Sequence, residues 1–133
     1  MLKTMIWKFK KTFKILISRP LLKIYPEKDY PVAANFCKLF LSDMAVSRYV
    51  LGRNEFAASI ARLVDVDGFI DEFTNERNFL GKPIVNIADL TKESMIVSAV
   101  VLGRPLIALN KLKMNRMNCL DYFNFYKYSG LSL

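Results

Sequence analysis

Two short stretches of the chain place an arginine just beyond an apolar run. In the first, Tyr49-Val50-Leu51 stops at Gly52 and is followed by Arg53 and Asn54; in the second, Met95 to Leu102 leads into Gly103 and Arg104. A guanidinium is a planar fork of donors that grips a carboxylate or a diphosphate through parallel hydrogen bonds. If both runs are strands of one parallel sheet, Arg53 and Arg104 stand at carboxyl ends and reach the same crevice, where such sheets bind their ligands. The plainer reading, and the favoured one, is that each arginine pairs with a nearby acid such as Glu55 or Asp71. Asp71 itself ends the apolar run Val66 to Ile70, about where a ribose-binding acid belongs, although many strand ends carry Asp for turn formation. The ligand-binding candidates are Gly52, Arg53, Asn54, Asp71, Gly103 and Arg104, with no catalytic residue and no metal ligand among them.

The glycines limit what this crevice would hold. Dinucleotide binding at a first strand-to-helix turn uses G-x-G-x-x-G, whose second glycine lets the backbone approach the pyrophosphate. Here Asn54 occupies that place, and Glu55 sets a negative charge at the helix start, where a phosphate would otherwise be welcome. This argues against NAD. The cofactor is left unknown, with none expected to bind strongly to this chain alone.

Composition narrows the classes further. The chain has no histidine, which excludes Ser-His-Asp and Cys-His catalysis, an H-E-x-x-H zinc site and an imidazole proton shuttle. Cys37 and Cys119 lie far apart among apolar neighbours and read as buried free thiols. At 133 residues and 53% hydrophobic content the chain has the size and composition of one folded domain. Its net charge of +8 is unevenly spread: the first 23 residues hold seven Lys or Arg and no acid, while the remainder sets 13 basic residues against 12 acidic ones. The folded part is therefore nearly neutral and does not read as a nucleic-acid surface.

The elements that must position the candidates follow from periodicity. Residues 1–23 read as an amphipathic basic helix from Leu2 to about Ile17, with Leu2, Met5, Ile6, Phe9, Phe13, Leu16 and Ile17 in one stripe and Pro20 ending it. Lysines interrupt the stripe too often for a membrane span or a secretory signal, which predicts a cytoplasmic protein with peripheral attachment to the inner membrane face as an option. Residues 24–47 read as a connector through Tyr30 and a helix from Val32 to Leu41, buried through Phe36, Leu39 and Phe40. Residues 48–133 read as a Rossmann-like α/β domain. Strands are expected near 48–51, 66–70, 84–86, 95–101 and 120–124, with the run at 95–101 central because it is apolar without alternation. Asn54 is placed to N-cap a helix whose buried face is Phe56, Ile60, Leu63 and Val64, with Glu55, Ser59 and Arg62 opposite. A helical turn is expected at Asp89 to Glu93 and a helix from Leu106 to about Arg116. The chain then ends on an aromatic strand with no closing helix. The fold class is a three-layer α/β domain with a mainly parallel sheet of about five strands, plus the N-terminal helix.

Gly52-Arg53-Asn54-Glu55, GFIDEF at 68–73, FLGKPIV at 79–85, MIVSAVVLGRPLIALNKL at 95–112 and DYFNFYKYSGL at 121–131 occur in an order that resembles the region preceding the catalytic domain in some bacterial FkbM-family methyltransferases. The resemblance spans about residues 45–133. A second likeness, to the small front domain of some sugar acetyltransferases that binds a nucleotide-sugar, is weaker. The FkbM resemblance implies S-adenosylmethionine-dependent O-methyl transfer in polysaccharide biosynthesis for the whole enzyme. It also implies a cofactor loop with paired glycines, which neither Gly52-Arg53-Asn54 nor Gly103-Arg104-Pro105 supplies, so no cofactor residue is carried over. The expectation is a front domain without its catalytic part, either a truncated product or a separate subunit.

Three functions compete. The first is a non-catalytic module binding a nucleotide-sugar, a glycan acceptor, a partner methyltransferase or a second copy of itself. The second is a small or truncated methyltransferase with Asp71 or Glu72 as base, and the third a membrane-surface or assembly adaptor acting through the basic helix. Whether the chain is itself an enzyme stays open at this stage.

Overall fold

Ser47 to Leu51 is the strand on which the other elements are hung. A computed structural model describes residues 30–45 and 47–133, of which Ala33–Leu133 form one compact unit. The basic helix expected at residues 2–17, its stop at Pro20 and the connector up to residue 29 lie outside the described residues. The elements in chain order are α1 (Tyr30–Phe40), β1 (Ser47–Leu51), α2 (Glu55–Leu63), β2 (Gly68–Ile70), β3 (Asn78–Phe79), β4 (Lys82–Val85), a 3-10 turn (Ile87–Asp89), β5 (Ser94–Ser98), α3 (Pro105–Met114), β6 (Asn118–Asp121) and α4 (Tyr122–Tyr128).

The strands make one six-stranded sheet in the order β3-β4-β2-β1-β5-β6. Every neighbouring pair is parallel except β3 with β4. Connections run outward from β1 in both directions, through β2 to β4 on one side and from β5 to β6 on the other. The carboxyl ends of β1 and β5 therefore flank the point where the order reverses, the place at which doubly wound sheets open a crevice.

Side chains alternate across the sheet and divide the core in two. Val50, Phe69 and Val97, which are register partners, are fully buried on one side. The aromatic residues of α1, α2 and α4 join one another in edge-on pairs, Phe40 with Phe125 at 5.4 Å and Phe56 with Tyr122 at 5.2 Å between centroids. The second cluster comprises Ile70 and Ile96 with Leu112 of α3, Ile87 of the 3-10 turn and Met117, flanked by Tyr49, Leu51, Val85 and Cys119. Two charged residues tie local elements to this frame. Arg48 of β1 donates its Nε to Phe40 O and its Nη2 to Ser42 O, satisfying carbonyls left over at the end of α1. Asp67 accepts from Arg48 N–H at 2.8 Å while its own N–H donates to Arg48 O, which aligns the start of β2 with β1.

The ends of α3 show why it stops where it does. Arg116 adopts φ +57°, its N–H donates to Lys113 O and the Met117 N–H to Leu112 O, the Schellman arrangement with arginine in the place usually taken by glycine. Met117 packs in the same core cluster as Leu112, and this contact holds the left-handed residue in place.

Several expectations need correction. The last strand, expected at 120–124, lies at Asn118–Asp121 instead: the Asp121 carboxylate accepts from Asn124 N–H at 2.9 Å and starts α4, so the aromatic residues that follow are helical. β5 stops at Ser98 instead of 101 and is interior but not central, since β2 and β1 occupy the middle of the sheet; all five of its residues are buried. Asn78-Phe79 pairs with Lys82-Pro83 as a hairpin, a sixth strand beyond the five expected. Its two-residue turn, Leu80-Gly81, has φ +51° and +77°, the left-handed pair of a type I′ turn. The turn expected at 89–93 lies at Ile87–Asp89. On α2, Ser59 is buried and Leu63 half-exposed, because Ser59 Oγ can donate to Phe56 O at 2.9 Å and enter the core satisfied. Leu39 of α1 is likewise exposed, and Cys119 is only partly buried. No helix among the described residues is long and apolar enough to cross a membrane.

Candidate functional site

The sharp turn after β1 generates the site. Leu51 O accepts from Ala99 N–H at 2.8 Å, and Gly52 N–H donates to Ile70 O at 2.9 Å, so β1 is tied to both neighbours up to its last residue. Gly52 then takes φ +112°, a conformation that a side chain would strain, and directs Arg53 and Asn54 over the sheet edge. Asn54 has extended backbone and N-caps α2 through Oδ1, which accepts from Ala57 N–H at 2.9 Å. Its Nδ2 donates to Ala99 O at 2.8 Å. One side chain thus caps the helix after β1 and straps that turn to the end of β5, across the reversal point. It also fills the place a bound phosphate would take at the start of α2, with Glu55 as the first helical residue behind it.

Arg53 is held by two carboxylates. Its Nε lies 2.7 Å from Asp71 Oδ2 and its Nη1 2.7 Å from Glu76 Oε2. Asp71 Oδ1 accepts from Phe73 N–H at 2.9 Å, closing a local turn. Partial burial pushes the Asp71 carboxyl up, but the hydrogen bond and charge of Arg53 and the Phe73 N–H outweigh it and hold the group below its ordinary value. The Asp71 hydrogen bond raises the Arg53 guanidinium in turn, against the opposing effect of desolvation. Next to this cluster Glu72 pairs with Lys111 of α3, and the Lys111 ammonium sits 5.8 Å from the centre of the Phe73 ring.

Gly52, Arg53, Asn54 and Asp71 are therefore brought together at the carboxyl edge. Gly103 and Arg104 are not joined to them. They lie five and six residues beyond the end of β5, both are exposed, and the Arg104 guanidinium makes no hydrogen bond or ion pair among the described residues. Of the acids named for Arg53, Asp71 is its partner; the second partner is Glu76, which the sequence reading did not name. The three carboxylates at 71–76 follow a strand end that faces an arginine, but spacing alone does not single out Glu76 from Glu72.

Asp121 was also missed. It is buried at the carboxyl end of β6, beside Ser98 in register. Burial raises its carboxyl, and the Asn124 side-chain and backbone donors offset part of the rise. Cys37 is buried as expected, and desolvation, with the Asp121 charge, pushes its thiol up to about 11. That makes it inert rather than nucleophilic at neutral pH. No group of three or more potential metal-ligating side chains occurs among the described residues.

The arrangement suits hydroxyl groups better than phosphates. An incoming phosphate would compete with two carboxylates for Arg53 and would meet the net negative charge of Arg53, Asp71 and Glu76 taken together. A polyol would instead use Glu76, which is solvent-exposed, and the free lone pairs of both carboxylates as acceptors. Comparison of the chain with protein-family models, with curated proteins and with solved structures returns no match.

Proposed function

We propose that the chain is a non-catalytic, Rossmann-like α/β module, of the kind found in front of FkbM-type sugar O-methyltransferases, and that its carboxyl-edge crevice recognises the hydroxyls of a nucleotide-sugar or glycan acceptor. The observation that carries this reading is the Arg53–Asp71–Glu76 cluster beside Asn54 at the reversal point of the sheet. The arginine fixes two carboxylates that can accept from sugar hydroxyls, and Asn54 stands where dinucleotide binding would need an open helix terminus. A methyltransferase reading with Asp71 as base is less well supported, because Arg53 and the Phe73 N–H hold its carboxyl low and make it a weak base. The finer architecture, three layers with a basic N-terminal helix, and a partner methyltransferase belong to the same proposal.

Titration calorimetry of the full chain with nucleotide-sugars, free glycans and S-adenosylmethionine tests it. Sugar ligands are expected to bind, with Arg53→Ala weakening them by about tenfold or more and Arg104→Ala having a smaller effect. Tight binding of S-adenosylmethionine, or sugar affinity unchanged by Arg53→Ala, would refute the assignment.

A further inference from the structure

Residues 71–77, which lead from β2 to β3, put no side chain into the core: Asp71 and Thr74 are half-buried and the rest are exposed. Phe73, the large apolar residue among them, is 94% exposed, so hydrophobic burial does not fix the segment. Its main chain is tied to the domain at the two ends. Ile70 O accepts from Gly52 N–H at 2.9 Å, and Arg77 O accepts from Ile84 N–H at 2.8 Å. Between these points the Phe73 N–H donates to Asp71 Oδ1 and the Glu76 N–H to Thr74 Oγ1, bonds that close turns inside the segment. Among the described residues no main-chain hydrogen bond joins 72–76 to another element.

Charge holds the segment instead. Arg53, in the turn after β1, takes Asp71 and Glu76, while Lys111 of α3 takes Glu72 and sets its ammonium over the Phe73 ring. The three ion pairs are not equally shielded. The Arg53 and Asp71 side chains are 25% and 18% exposed, but Glu76 is 67% exposed and Lys111 52%. Salt screens exposed pairs strongly and enclosed ones much less. Asp71 is therefore the fixed end of the segment, and Glu72 and Glu76 are its two catches. We propose that residues 72–77 form an electrostatic latch at the carboxyl edge, closed by the Glu72–Lys111 and Glu76–Arg53 pairs and opened when these are screened. Opening leaves Arg53 with Asp71 alone and changes the cluster from net negative to neutral. The latch thus sets the charge that a ligand meets at this edge. It is independent of the sugar-binding reading, because its test reads motion and uses no ligand.

Nitrogen-15 relaxation of the full chain, in NaCl at about 0.02 M and about 0.5 M, provides that test. At low salt the amides of residues 73–76 should have order parameters near those of β1 and β5, about 0.85. They should fall below about 0.6 at high salt and, already at low salt, in the Glu72→Gln, Glu76→Gln double variant, with the sheet unchanged throughout. Glu93→Gln, which removes an exposed acid outside the segment, should leave it ordered. Order parameters that are already low in the parent at low salt overturn the proposal, since the latch then holds nothing. A segment that stays ordered in the double variant or at high salt overturns it as well. Loosening by Glu93→Gln would assign the effect to overall charge, and this too overturns it.

Discussion

Replacing Asn54 by alanine removes two bonds with one cut, and their separate contributions can be worked out. Loss of an N-cap costs about 1 kcal/mol, since one amide at the start of α2 loses its acceptor. Loss of the Nδ2 donor leaves Ala99 O without that bond, and as Asn54 is itself exposed, water replaces part of it, which puts the second cost near the lower end at about 1 kcal/mol. Asn54→Ala should therefore destabilise by about 2 kcal/mol, or about 10 °C in Tm for a unit of this size. Asn54→Ser keeps an acceptor for Ala57 N–H but cannot reach Ala99, and should cost about half as much. Urea unfolding of the three proteins followed by circular dichroism, with m-values compared, measures both steps. If the serine variant is as unstable as the alanine variant, the cap contributes nothing. If it matches the parent, the strap across the sheet contributes nothing, and the account of how β1 and β5 are held at the reversal point is wrong.

Two further outcomes are expected. Gly68→Ala should destabilise by about 1–3 kcal/mol, since a Cβ there would lie 2.7 Å from Pro83 O and 3.2 Å from a Tyr49 ring carbon, and unfolding at the parent's urea midpoint would contradict that crowding. The Asp71 carboxyl is held below its ordinary value of 3.8, so its contribution to stability is complete above that pH and is lost as pH falls through the lower folded-state value. Arg53→Met should raise the Asp71 pKa in a carbon-13 NMR titration and move acid unfolding to higher pH; an unmoved titration would show that the salt bridge does not persist in solution.

The sheet was legible where one physical signal acted alone. The continuous apolar run at Met95–Ser98 marks a strand covered on both faces, and it is interior and fully buried. Asn54 after a glycine-terminated strand marks a helix start, and it is the N-cap. Reading failed where two signals competed. Residues 120–125 are aromatic enough for a strand, but Asp121 gives its side chain to Asn124 N–H, and Tyr122, Phe123 and Phe125 bury themselves from a helix instead. Asn78-Phe79 is too short to carry alternation, and its pairing depends on the turn at Leu80-Gly81 and on Phe79 meeting Phe69 at 4.8 Å between centroids. At the candidate site, the grouping of Arg53, Asn54 and Asp71 was accessible from spacing alone. The second acid was not, because Glu76 reaches Arg53 only through the path of a loop that no periodicity constrains. Arg104 failed as its counterpart because β5 ends at Ser98, earlier than the apolar run suggests, and leaves the arginine beyond a stretch of irregular chain.

What the carboxyl edge would accept follows from how its polar groups are already spent. A nucleotide-binding sheet leaves helix-terminal amides open at the reversal point so that a diphosphate can take them. Here Asn54 takes the Ala57 amide, and Glu55 adds a negative charge at the first turn. The charge of Arg53 is matched by Asp71 and exceeded once Glu76 is counted. A diphosphate entering this place would have to break two charge-assisted hydrogen bonds and then remain beside two displaced carboxylates. Sugar hydroxyls need no such displacement, because they donate to the carboxylates as these stand. In a nucleotide-sugar the phosphates would therefore have to lie away from the cluster. On the proposed reading the two arginines are unequal: Arg53→Ala should lower affinity for a sugar through the carboxylates it holds, whereas Arg104→Ala, at a residue not joined to the cluster, should have the smaller effect.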